Sequence, residues 1–145
     1  MDTSVLVAGV AGLKDPSDPV TPSAKFLHDW IEHDTFTWLV TSDILEEYTD
    51  VLTRLGVRRP VIGRIVNLLK AAAEFIEPTW TVAAEPDPGD APFWTCADLG
   101  AADFIVTLNT KDFPQGRLSA KVIGPHAPLP PHRVRRRIAR SRRAR

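Results

Sequence analysis

The chain has 145 residues, 43% of them hydrophobic and 25% charged, which is the size and composition of one globular domain with a real core. Its single cysteine, Cys96, excludes an internal disulfide and any multi-cysteine metal site. No apolar run approaches the roughly 18 residues of a membrane span, so a soluble, cytoplasmic protein is expected. The net charge of zero hides a division. All 18 Asp and Glu lie between Asp2 and Asp112, whereas eight of the 18 Lys and Arg fall in Arg133–Arg145.

In chain order, the apolar run Thr3–Val10 follows Met1 almost directly. Lys14–Pro22 reads as a loop, because each proline discourages helix in the residue before it. Ser23 is expected to cap a helix to about His33, with Phe26, Leu27, Trp30 and Ile31 at helical spacing. Phe36–Thr41, rich in β-branched and aromatic residues, predicts a buried strand. Ser42 is expected to cap the next helix. Its apolar face is Ile44, Tyr48, Val51, Leu52 and Leu55, and Gly56 closes it. Pro60 opens a further helix through Leu68 and Leu69, and Glu74–Ile76 predicts a short strand stopped by Pro78. After the turn-rich Glu85–Gly89, a helix is expected over about Pro92–Ala101. Phe104–Thr107 is the clearest inner-strand signal, and Lys121–Ile123 predicts the last strand. A proline-rich break and the arginine tail follow, residues 125–145, expected to be disordered.

Helices alternating with short, all-apolar strands predict a mostly parallel sheet covered on both faces, with ligands beyond the carboxyl ends of the strands. Four acidic stations fall near such ends: Asp2, Glu47, Asp90 and Asp112. Carboxylates gathered from distant segments repel one another and lose hydration, which a fold tolerates when a cation or a reaction uses them. Each has an ordinary reading as well. Asp2 reads as a surface residue at a frayed terminus, Asp90 as a helix cap, and Asp112 as a loop acid. Glu46 and Glu47 are adjacent but not equivalent. On a helical wheel Glu46 faces out with Asp50 and Arg54, whereas Glu47 stacks with Ile44 and Val51 at the edge of the buried face. Histidines 28, 33, 126 and 132 show no metal-ligand spacing, and no phosphate loop or nucleophile elbow is present.

Taken in order, the stations make the chain resemble the PIN-domain family of ribonucleases, which includes the toxin halves of many bacterial toxin–antitoxin pairs. The carriers are Asp2-Thr3-Ser4-Val5-Leu6, Ile44-Leu45-Glu46-Glu47-Tyr48, Asp87-Pro88-Gly89-Asp90 before Phe93, and Ile105-Val106-Thr107-Leu108-Asn109-Thr110-Lys111-Asp112-Phe113. The resemblance covers roughly residues 1–124. It implies a three-layer α/β/α sandwich with a central, mostly parallel sheet. Its first strand is expected to be truncated, since members carry several apolar residues before the first acid. It also implies cleavage of RNA with Mg²⁺ or Mn²⁺. By that resemblance Asp2 and Asp90 are the main direct metal ligands. Glu47 and Asp112 bind through water, orient the attacking water or complete a second site, and Thr107 and Asn109 position these groups. Asn109 stands where members often carry Asp, so Asp112 would supply the charge. The partners implied are an RNA substrate, a small antitoxin protein that covers the site, and a second copy of the chain, with no membrane. The competing expectation is a catalytically weakened PIN-like module that binds RNA or protein through its basic tail.

Overall fold

The computed structural model describes residues 1–13, 21–80, 88–113 and 119–130, with the side chains of Pro88 and Asp112 excepted. The expected loop at Lys14–Pro22 and the turn at Glu85–Gly89 therefore lie largely outside the described residues, as does most of the tail.

The apolar run after Met1 is a helix, α1 (Thr3–Gly12). It packs against α2 (Pro22–His33) along a seam of small residues. A Cβ on Gly9 would come 3.0 Å from the Ser23 carbonyl oxygen, and one on Gly12 would come 2.6 Å from Thr21 Oγ1. The cap of α2 is Thr21 rather than Ser23. Its Oγ1 accepts from the Ala24 N–H at 3.1 Å, and Pro22 sits in the first turn, where its missing N–H costs nothing. Ser23 is buried inside the helix.

The next strand, β1 (Leu39–Val40), is shorter than the apolar run that predicts it. Helix α3 (Ser42–Arg54) is capped by Thr41, whose buried Oγ1 accepts from the Ile44 N–H at 3.2 Å, so the cap falls one residue earlier than Ser42. Ile44, Tyr48 and Leu52 are buried as expected, but Leu55 is 61% exposed because it lies past the last helical turn. Gly56 takes φ +79°, the left-handed conformation that ends a helix. Helix α4 (Arg59–Ala72) starts with Pro60 in its first turn and leads into β2 (Glu74–Phe75). The last described elements are α5 (Ala91–Leu99), β3 (Phe104–Val106) and β4 (Lys121–Ile123).

The strands form two parallel pairs rather than one continuous sheet among the described residues. In β1–β2, Leu39 faces Glu74 and Val40 faces Phe75. In β3–β4, Phe104, Ile105 and Val106 face Lys121, Val122 and Ile123. This α/β arrangement keeps the expected parallel sense. A run of aromatic rings crosses the core. Trp30 meets Trp38 edge-on at 4.8 Å, Trp38 meets Tyr48 at 6.1 Å, and Tyr48 meets Phe93 at 6.3 Å. Trp30 and Trp38 are thus core residues, and Trp80 is 57% exposed. No described helix is long and apolar enough to cross a membrane.

The cap assignment separates two neighbouring hydroxyls. Thr41→Ala is expected to lower stability by about 1 kcal/mol, while Ser42→Ala, at an exposed position, should stay within about 0.5 kcal/mol of the parent. Urea unfolding of both variants checks this, and equal effects would contradict the cap.

Candidate active site

Asp2 occupies the position just before α1, with extended backbone at φ −65° and ψ 147°. Its N–H donates to the Val106 carbonyl oxygen at 2.8 Å, which fixes the start of the chain against the carboxyl end of β3. The side chain is held as well. Asp2 Oδ2 accepts from Ser4 Oγ and from Thr107 Oγ1, each at 2.7 Å. Both contacts follow from sequence position. Ser4 lies in the first turn of α1, and Thr107 is the residue directly after β3.

Thr107 is fully buried and serves two neighbours. Its Oγ1 donates to Asp2 and accepts from the Asn109 N–H at 3.0 Å, which bends the chain after β3 back toward the acid. Ser4 has a similar double role, since its Oγ also accepts from the Leu108 N–H at 3.3 Å. Glu47 joins the group through Thr3, whose Oγ1 donates to Glu47 Oε2. The helical-wheel distinction holds, because Glu47 is half-buried and Glu46 exposed. One residue along, the Tyr48 hydroxyl donates to the Met1 carbonyl oxygen. Burial pushes the Tyr48 pKa well above its ordinary value, so the phenol stays a neutral donor.

Asp90 precedes α5 at the cap position, but its side chain makes no capping hydrogen bond. Its backbone is helical, at φ −85° and ψ −5°, which is not the extended conformation that a capping side chain needs. The ordinary reading of Asp90 as a cap is therefore set aside. The residue is half-buried, with its Oδ2 atom shielded from solvent. Phe93, three residues on, packs against Tyr48 and so sets the start of α5 beside the Glu47–Tyr48 turn of α3. Asp112 ends a 3₁₀ turn over Thr110–Asp112, and Asn109 is exposed just before it.

Hydrogen bonds therefore join Asp2, Ser4, Thr107 and the Asn109 N–H at the carboxyl end of β3, and Glu47 bonds Thr3, the residue next to Asp2 in the chain. Among the described residues the structure does not gather three His, Cys, Asp or Glu side chains into a metal-holding cluster. Thr3 and Ser4 were missed as site residues in the sequence, although their hydroxyls directly follow the first acid. Cys96 is no nucleophile here, since burial pushes its thiol up to about 11.

Two part-buried carboxylates, each steadied by a hydroxyl donor, form a hard-oxygen set of the kind that suits Mg²⁺ or Mn²⁺. An acid at the carboxyl end of a parallel strand, with a second acid on a neighbouring helix, is the kind of site that α/β hydrolases carry. The family model for the PIN domain matches residues 1–111, and the chain belongs to that family. Its members are generally nucleases that use divalent metals, and at that level the chain is a nuclease. No curated protein and no solved structure matches it.

Thr107→Val keeps the shape of the side chain but removes its hydroxyl, leaving a buried acceptor and an N–H to find other partners. It is expected to destabilise by about 1–3 kcal/mol in urea unfolding. Ser4→Ala, in a more open position, should cost about 1 kcal/mol or less. A Thr107→Val cost below that of Ser4→Ala would remove Thr107 from the centre of the group.

Proposed function

We propose that the chain is a divalent-metal-dependent endoribonuclease and the toxin half of a toxin–antitoxin pair. The observation that carries the reading is the Asp2 carboxylate, clamped by two hydroxyls at the carboxyl end of β3 with Glu47 tied in beside it. Asp2 and Asp90 would hold Mg²⁺ or Mn²⁺ directly, with Glu47 and Asp112 acting through water. A bound divalent ion supplies a water of lowered pKa and shields the charge that builds on the scissile phosphate.

The protein's own share is orientation. The hydroxyls of Ser4 and Thr107 hold the Asp2 carboxylate, and Thr3 holds that of Glu47. Glu47 would then accept a proton from the attacking water. Thr107, through the Asn109 N–H, sets the path of the loop that carries Asp112.

Acids alone repel RNA, so cations elsewhere must bind its backbone. Arg58, Arg59 and Arg64 are exposed around the amino-terminal half of α4, and with the arginine tail they would contact phosphates with strong salt dependence. A small antitoxin covering this acidic site by inserting a basic side chain would silence the enzyme, and a homodimer is compatible with the same reading. The cytoplasm, where RNA lies, is the compartment it requires. A second reading has one observation in its favour: Asn109 is neutral and binds a cation less strongly than Asp would. On that reading the domain is weakened as an enzyme and binds RNA or protein through its tail.

Asp2→Asn and Asp90→Asn are each expected to reduce Mg²⁺-dependent RNA cleavage by on the order of 100-fold or more while the protein stays folded. Glu46→Gln should leave it within about twofold, as a solvated face implies. Retained cleavage in both Asp variants would refute the assignment. Thermal melting with and without Mn²⁺ separates the two readings, because a weakened site gives no metal-dependent stabilisation.

A further inference from the structure

After β4 the chain continues as a proline-rich strap, residues 124–130. Pro125 is buried, Ala127 and Leu129 are half-buried, and His126, Pro128 and Pro130 are exposed. Ala127 and Leu129 pack against a small apolar cluster of Val5, Phe26, Val106 and Ile123. Val5 follows Ser4 in the chain, and Val106 supplies the carbonyl oxygen that accepts from the Asp2 N–H. The strap is therefore pinned beside the acidic site, and its three prolines limit how it bends. Residues 131–145 follow, and eight of them are arginine. The body that they leave, residues 1–132, carries 10 Lys and Arg against 18 Asp and Glu.

We propose that the arginine segment, residues 133–145, docks on the acidic site of its own chain and masks it until a polyanion draws the arginines away. Charge, reach and tethering favour this occupant. Asp2 and Glu47 are held by hydroxyls, which satisfy hydrogen bonds but leave both charges in place, and a guanidinium fork matches a carboxylate in shape and sign. Leu129 and Pro130 border the same cavity as Val106, and β3 itself is only about 10 Å long. At roughly 3.5 Å per extended residue, Arg133 lies within about 10 Å of Pro130 and Arg137 within about 25 Å. The acids are thus inside the reach of the first four arginines. A short tether also holds the segment at an effective concentration on the order of millimolar, so contacts too weak to retain a free peptide suffice. The docking needs only the charges. Its meaning as regulation rests on the proposed nuclease reading, in which RNA phosphates compete for the same arginines and substrate binding itself uncovers the acids.

Trypsin reads the docking in the full chain without RNA or metal, so the outcome is independent of whether RNA is cut. Arginines held at the acids are cut only when the segment lifts off. At about 20 mM salt, cleavage within residues 131–145, followed by intact mass, is expected to be about fivefold or more slower than in a free peptide of that segment. Near about 0.5 M NaCl it should reach the peptide's rate, because screening releases the arginines. Asp2→Asn combined with Glu47→Gln should speed the low-salt cleavage by about fivefold. Glu46→Gln combined with Asp50→Asn removes the same charge from the exposed face of α3 and should change it by less than about twofold. Cleavage within residues 1–130 in the same digest reports unfolding, and Asp2→Asn alone keeps the site test if the pair unfolds. Cleavage of the parent at the peptide's rate in low salt would overturn the docking. Equal acceleration by both pairs would overturn it too, since the arginines would then be drawn to the acidic body as a whole.

Discussion

The tie between Asp2 and the end of β3 is the constraint on which the rest of the site depends. Backbone and side chain of one residue are held by consecutive residues, Val106 through its carbonyl oxygen and Thr107 through its hydroxyl. Here the same residue that opens α1 is registered against a strand about a hundred positions away. Charge is thereby concentrated at one end of the parallel pair, where hydroxyl donors offset the energetic cost of holding carboxylates.

The hydroxyl residues matter more than their chemistry suggests. Thr3, Ser4 and Thr107 each link two segments, and none is charged. Together they make a polar frame in which Asp2 and Glu47 sit at fixed orientation, while the aromatic run from Trp30 to Phe93 fixes the helices beneath. The division of labour is clear. Apolar rings set where α3 and α5 stand, and hydroxyls set which way the acids point.

Periodicity made α2, α3 and α4 legible in the sequence, because each pairs an amphipathic stripe with a proline or threonine start. The caps were misplaced by one or two residues, since Thr and Ser stand together at each start and propensity alone does not choose between them. The order of the acids identified the family, and the wheel selected Glu47 over Glu46. What pattern did not reveal was that the described strands pair as β1 with β2 and β3 with β4. Strand pairing is a long-range property, and two- or three-residue strands carry no register signal of their own. Nor did it find Thr3 and Ser4, whose role exists only once β3 is brought alongside.

One consequence reaches beyond the site. The small-residue seam at Gly9 and Gly12 lets α1 and α2 approach so closely that a single methyl on either glycine would meet backbone or the Thr21 hydroxyl. Helix α1 is about 15 Å long and rigid along its axis. A bulge at its far end would therefore pivot its near end, carrying Thr3 and Ser4 away from the acids they steady. The aim of the carboxylates is thus set partly by two residues that never approach them, so substitutions harmless to the acids themselves could still disable the chemistry by misdirection.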